Sequence, residues 1–250
     1  MKIVATYNIK GGVGKTSTAV NVAAIAARRG ERVLLWDLDP QGAATFLLRV
    51  KAKVRGGGKR LVRGRSDVWS LLRGSDHDGL DLLPADFSYR HMDLFLDNGK
   101  KPTNRLSQVL APLGDEYDLV VLDCPPSISL VSENVFLAAD ALLVPLIPTT
   151  LSLRTLEQLT TFVRENGLSH LLVLPFFSMV DRRKALHREI VATLHEAQPD
   201  ILATQIPSAT EVERMGVHRD VVAAFAPTSR VAQAYEALWD EVTARFGAST

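Results

Sequence analysis

One stretch near the start, "KIVATYNIKGGVGKTSTAVNVAA" (residues 2–24), constrains the fold more than any other. It opens with an apolar, β-branched run that reads as a buried strand. A turn with Gly11, Gly12 and Gly14 follows, then Lys15 and Thr16. Beyond these, Val20, Ala23, Ala24 and Ala27 recur at helical spacing until Gly30 stops the run. Strand, glycine turn, Lys-Thr and helix, in that order, suit a phosphate cradle. The glycines let backbone N–H groups turn toward an anion, and the helix N-terminus adds positive potential. The spelling departs from the general Gly-x4-Gly-Lys-Ser/Thr pattern. Ile9 stands where the first glycine would fall, and Lys10 is a second lysine. A dinucleotide loop is disfavoured: counted from Gly12-Val13-Gly14, the third glycine it needs falls at Ser17.

The rest of the chain repeats the alternation of strand and helix. Strands are expected over Arg32–Trp36, "LDLLPA", "YDLVVLDCPPS", "ALLVPLIP", "HLLVLPFF" and "DILATQIP". Helices are expected over "DVWSLLRG" (capped by Ser66 or Asp67), Ser152–Glu165, Arg182–His195 and Ser229–Phe246. The last should bury Val231, Tyr235, Leu238, Val242 and Phe246. Near-continuous apolar strands between helices predict an α/β fold: a doubly wound, mostly parallel sheet with helices on both faces. With 250 residues, 46% of them hydrophobic, and neither repeat nor linker, residues 1–250 read as a single domain.

Charge is uneven. The chain carries net +1, but "RVKAKVRGGGKRLVRGR" (49–65) holds eight Lys/Arg and no acid, leaving −7 elsewhere. This stretch is expected to be an exposed, basic, glycine-rich loop. The single cysteine, Cys124, excludes an internal disulfide and a CxxC metal or iron–sulfur site. With neither a secretory pattern nor an apolar run near the roughly 20 residues of a membrane span, the expectation is a cytoplasmic protein.

Ligands in open α/β sheets bind at the carboxyl ends of strands. Asp123 ends one strand, where it would support Mg²⁺; Thr16 would supply a hydroxyl to the same ion. Asp37 and Asp39 of "DLDPQG" stand at another strand end, and Asp37 reads equally as a turn or cap residue. Lys10 alone reads as a solvated loop lysine or as a site residue.

"KGGVGKT" (10–16), "DLDPQG" (37–42) and "VLDCPPS" (121–127) together resemble, in order and spacing, the three motifs of the ParA/MinD family of deviant Walker A ATPases. The resemblance implies a P-loop NTPase of the SIMIBI type with ATP and Mg²⁺ as cofactors. It implies an ATP-bound homodimer in which Lys10 of one subunit reaches phosphates held by the other. Catalytic roles fall on Lys10, Lys15 and Asp39. Nucleotide contacts fall on Gly11, Gly12, Val13, Gly14, Lys15, Thr16 and Ser17, with Met179 and Pro207 beside the adenine. Metal contacts fall on Thr16, Asp39 and Asp123. The chain has "FSMVD" and "IPSATEVERMG" where relatives commonly carry a polar residue and "IPRN".

Family members differ in what the ATPase drives. ParA-type members bind DNA non-specifically and position plasmids, chromosomes or other cargo; MinD-type members carry a C-terminal membrane helix. Here the C-terminal helix carries Glu236, Asp240 and Glu241, which anionic lipid would repel, so a membrane partner is disfavoured. DNA contacts are expected from Arg182, Arg183, Lys184 and Arg188, with Arg214 and Arg219. The chain starts nine residues before Lys10, so no helix-turn-helix reader is expected ahead of the loop. The resemblance implies a nucleoid-associated location and a ParB-like or other activator or adaptor protein. A MinD-like membrane ATPase and a regulatory ATP-binding module with negligible turnover are the alternatives.

Overall fold

Alternation along the strands builds two apolar layers on one sheet. The computed structural model describes residues 1–97, 103–198 and 200–248. Its strands are β1 (Lys2–Thr6), β2 (Val33–Asp37), β3 (Arg73–Gly74), β4 (Leu80–Leu83), β5 (Leu119–Asp123), β6 (Ala141–Leu146), β7 (Leu172–Val180) and β8 (Gln205–Pro207). The spatial order is β3-β4-β2-β5-β1-β6-β7-β8, and all of these pairings are parallel except the short edge pair β3–β4. Leu34, Trp36, Val120 and Leu122 point into one layer. Their neighbours Val33, Leu35, Leu119 and Val121 point into the other, as strand geometry requires.

The first helices along the chain are α1 (Lys15–Arg28), α2 (Ala43–Leu47), α3 (Gly57–Val62), α4 (Met92–Asp97), α5 (Arg105–Leu110) and α6 (Leu130–Ala138). They are followed by α7 (Thr150–Glu165), α8 (Ala185–Ala197), α9 (Thr210–His218), α10 (Val222–Phe225) and α11 (Arg230–Ala248). Helices α3 to α8 cover one face, and α1, α2 and α9 to α11 the other. The doubly wound α/β expectation therefore holds.

Helix α11 packs on the domain through Val231, Tyr235, Leu238, Trp239 and Val242, with Phe246 half-buried. Its acids are engaged by the protein. Arg29 reaches Glu236 at 2.7 Å and Asp240 at 2.6 Å. Arg28 also pairs with Glu236. Glu241 accepts from the backbone N–H of Ala203 at 2.7 Å and Thr204 at 2.9 Å. Among the described residues, no helix is long and apolar enough to cross a membrane.

Four local expectations need correction. The basic stretch 49–65 is not simply an exposed loop: it contains α3, and its Val54, Leu61 and Val62 are buried in the layer under α3–α8. Charge dominated its composition and concealed three apolar anchors. The segment after β7 turns before it becomes helical, so Arg182, Arg183 and Lys184 precede α8 rather than form its first turn. Asp181 causes this by accepting from the backbone N–H of Arg183 at 3.0 Å. "DILATQIP" is strand only at Gln205–Pro207, although Ile201 and Leu202 are buried. "DVWSLLRG" forms one 3₁₀ turn over Trp69–Leu71, with Asp67 accepting from the Trp69 N–H at 3.2 Å.

Candidate nucleotide site

β1 lies between β5 and β6 near the middle of the sheet, so the loop that follows it emerges among several strand carboxyl ends. Asn8 pins this loop. Its buried side chain donates to the Pro145 carbonyl at 2.8 Å and accepts from the Lys10 N–H at 2.9 Å. Ile9, the residue that replaces a glycine, packs against the apolar layer below. Its side chain therefore has a packing role that a glycine could not fill. Gly12 (φ 71°) and Gly14 (φ 94°) take left-handed conformations. A Cβ on Gly14 would stand 2.9 Å from the Ser178 Oγ, so that position excludes a side chain on two counts. Around Gly11 and Gly12 a Cβ would meet nothing within 4 Å, because both border open space.

That space is a cavity of about 350 Å³. Gly11, Gly12, Gly14, Lys15, Thr16 and Ser17 form one side, and Asp39 reaches in from beyond β2. Ser178, Met179, Ile206 and Pro207 also line it. Pro126, Ser208 and Ala209, with Val212 and Glu213 of α9 and Tyr235 of α11, make up the rest of the wall, and none of them was expected there from sequence. Tyr235 was legible as a buried helix residue but not as a neighbour of the loop. Its hydroxyl interacts with Ser17, while burial pushes its pKa up to about 12. Val13 is buried and adds no side chain to the lining.

Three carboxylates gather at the ends of β2 and β5. Asp37 and Asp123 are register partners on adjacent parallel strands, and both are buried. Asp37 is occupied by the fold. One oxygen accepts from the Thr45 N–H (2.8 Å) and hydroxyl (2.7 Å), and the other from the Asp39 N–H (3.2 Å). These bonds make Asp37 an anchor for the turn into α2. Asp39 is half-exposed at the cavity, and its carboxylate accepts from the Gln41 N–H at 2.9 Å.

Asp123 is different. Its Oδ2 is buried without a hydrogen-bond partner. Burial first, then the Asp37 charge, push its pKa well up, while Thr16 and Lys15 pull it down. An orphaned anionic oxygen in the interior is costly, and a divalent cation beside Thr16 would satisfy it. The donors fit Mg²⁺, which takes one or two protein oxygens and completes its shell with water and phosphate. Among the described residues, no group of three or more His, Cys, Asp or Glu is arranged to hold a metal ion by itself.

The two lysines part company. Lys15 is buried, and its ammonium donates to the Lys10 carbonyl at 2.9 Å. Lys10 is half-exposed and is absent from the cavity lining of its own chain. Among the basic residues expected at DNA, Arg182, Lys184, Arg188 and Arg214 are exposed. Arg183 is held in a two-pronged pair with Asp181, at 3.0 Å for each contact. Arg219 stacks on the Phe46 ring at 4.6 Å and donates to the Phe46 carbonyl at 3.1 Å, which ties α9 to α2.

Comparison with known proteins agrees with this geometry. Residues 1–169 match a family described as AAA domain. The chain is 32% identical over 249 residues to the sporulation initiation inhibitor protein Soj of Bacillus subtilis, covering 97% of this chain and 98% of that one. It is 37% identical over 249 residues to the chromosome-partitioning ATPase Soj of Thermus thermophilus, covering 97% and 95%. Among solved structures, it superposes with a TM-score of 0.82 at 27% identity on cobyrinic acid a,c-diamide synthase from Mycobacterium smegmatis with bound ATP analog and magnesium, covering 100% of this chain and 97% of that chain. Loop, strand-end acids, sheet order and full-length similarity agree: the chain belongs to the ParA/MinD family of P-loop ATPases.

Proposed function

We propose that the protein hydrolyses ATP to ADP and phosphate as an ATP-dependent homodimer, binds DNA non-specifically, and positions DNA or another large cargo. The observation that carries the reading is the single cavity joining the glycine loop, Lys15, Thr16 and Asp39, with the free Asp123 oxygen beside Thr16. The backbone N–H groups of the loop and the α1 N-terminus would hold the phosphates. Met179 and Pro207 would flank the adenine. Mg²⁺, when bound by Thr16 and Asp123 directly or through water, would neutralise phosphate charge. Asp39 would orient the attacking water. Lys15 would stabilise charge developing on the phosphate oxygens, and Lys10 would do so for the neighbouring subunit.

For DNA, the exposed Arg182, Lys184 and Arg214 are the best placed cations; Arg188 is exposed but donates to the Arg182 carbonyl at 2.7 Å, and Arg183 and Arg219 are committed within the chain. A nucleoid-associated location and an activator or adaptor partner follow from this reading. The docking of α11 on the domain supports DNA over a membrane surface.

The test is DNA binding across a salt series with ATP and with ADP, run in parallel on Asp39→Ala. The expected result is ATP-selective binding that weakens steeply with salt, and an Asp39→Ala protein that binds ATP and DNA but does not turn over. Equal binding with ADP would refute the coupling. Full turnover by the variant would refute the role of Asp39. Negligible wild-type turnover with DNA present would favour the regulatory module.

A further inference from the structure

The stretch 49–65 concentrates eight Lys/Arg without an acid. Arg49 is spoken for: it reaches Asp76 at 3.1 Å and Asp220 at 3.5 Å. Lys51, Lys53, Arg55, Lys59, Arg60, Arg63 and Arg65 remain, and among the described residues none of these forms an ion pair. All are exposed except Arg63, which is half-buried.

These cations sit on a fixed support. Val54, Leu61 and Val62 are 3%, 1% and 2% exposed, so the segment is folded into the core. The Val54 N–H donates to Asp86 at 2.8 Å, and the Gly58 N–H donates to the Ser88 hydroxyl at 2.8 Å. Gly58 is so close to Tyr89 that a Cβ would stand 2.7 Å from the ring. A solubilising loop needs none of these attachments.

Beside the cations lies a groove of about 300 Å³, lined by Leu61, Val62, Val68, Trp69, Val109 and Pro112. Asp67 and Gln108 add polar groups, and Asp67 is committed to the Trp69 N–H. Trp69 is 43% exposed, while Trp36 and Trp239 are fully buried. Lys59 and Arg60 share α3 with Leu61 and Val62, and Arg63 and Arg65 flank Gly64, which also borders the groove. An exposed tryptophan in a mostly apolar groove, next in sequence to exposed Lys/Arg side chains that form no ion pair and with Asp67 as the one acid of its lining, has the chemistry of an interface anchor site.

We propose that this groove docks a protein segment that is acidic and carries leucine or aromatic anchors. The carboxylates meet the cations and the anchors fill the groove against Trp69. Duplex DNA would use the cations but presents no apolar group to the groove, so the observations favour the acidic segment. The groove shares no lining residue with the nucleotide cavity. Docking and ATP hydrolysis can therefore fail separately.

The full-length protein is titrated with a synthetic peptide of Glu interspersed with Leu and Phe, following tryptophan emission. Polyglutamate of equal length and a short DNA duplex serve as comparison probes. Saturable peptide binding with a blue shift is expected. Arg60→Glu with Arg63→Glu should weaken it about tenfold or more and leave ATP turnover unchanged. Trp69→Phe, which keeps an aromatic ring, should retain binding but lose the shift. The proposal is overturned by polyglutamate binding as tightly as the anchored peptide, or by the absence of saturable peptide binding. It is equally overturned if DNA shifts Trp69 emission and loses affinity in the same charge-reversed variant, which would make this a nucleic-acid face.

Discussion

The Lys15 ammonium donates to the Lys10 carbonyl across 2.9 Å, so the two lysines of the loop are joined by the side chain of one and the backbone of the other. Lys15 is drawn into the protein, where burial pushes its pKa down and Asp123, Cys124 and Asp39 pull it back up. Lys10 is left half-exposed at the surface of the loop. A single subunit thus has one lysine at its own cavity and one that does not line it.

This division predicts two different defects. Lys15→Ala removes a buried cation from the cavity and should weaken ATP binding by about 2–3 kcal/mol, the usual worth of a charged hydrogen bond. Lys10→Ala should leave the affinity of a monomer for ATP within about twofold, because the side chain is outside its cavity, yet lower turnover by about a hundredfold or more. Mixing Lys10→Ala with Asp39→Ala subunits should restore part of the turnover, since each mixed dimer then has one site with both groups. Nucleotide titration and steady-state phosphate release measure these effects. Equal loss of monomer affinity in both lysine variants would place Lys10 in its own site.

Gly14 should tolerate alanine poorly. Its φ of 94° disfavours a side chain, and the new Cβ would meet the Ser178 Oγ at 2.9 Å. Strain of about 1–3 kcal/mol is expected. It should appear as lost ATP affinity with a smaller loss of stability, because the loop can relax into the cavity. Adding Ser178→Ala removes the clash but not the backbone strain, so the double variant should recover affinity only in part. Wild-type affinity in Gly14→Ala would show that the loop does not need its left-handed turn.

The central sheet, the glycine loop and the strand-end acids were legible because each depends on local pattern. Val33–Asp37 and Leu119–Asp123 are apolar runs ending in Asp, and Gly14-Lys15-Thr16 fixes the start of α1. What was missed depends on distant contacts. Val212, Glu213 and Tyr235 reach the cavity only because α9 and α11 pack on the α1 face. The basic stretch folds only because Asp86, Ser88 and Tyr89 receive it. Arg219 resembled a free cation in sequence until Phe46 came beneath it. No periodicity in a single segment carries that information.

Thr45 should prove as important to stability as a core side chain. Its hydroxyl donates to Asp37 at 2.7 Å and accepts from the Ala85 N–H at 2.9 Å, and all three groups are buried. Thr45→Val keeps the shape but leaves the Ala85 N–H unsatisfied and Asp37 one donor short. The expected cost is about 2–4 kcal/mol, from two incompletely paired buried groups. A urea-unfolding midpoint close to wild type would show that water or a shifted backbone replaces the hydroxyl.

Asp86 should make the anchoring of the basic stretch sensitive to acid. Burial raises its pKa, but hydrogen bonds from Ser88 and from the Val54 N–H, with nearby Lys53, outweigh it and leave the value below the ordinary one. A depressed carboxylate stabilises fully above its unfolded pKa of about 4. That contribution is lost as pH falls through the lower folded value. Asp86→Asn should therefore cost about 1 kcal/mol or less near neutral pH, the worth of a partly exposed hydrogen bond, and progressively less below about pH 4. Urea midpoints of both proteins at neutral and at acid pH give the comparison, with amide exchange at Val54 as the local readout. A gap between the two proteins that stays constant into acid would mean that Asp86 supports the stretch by shape rather than by charge.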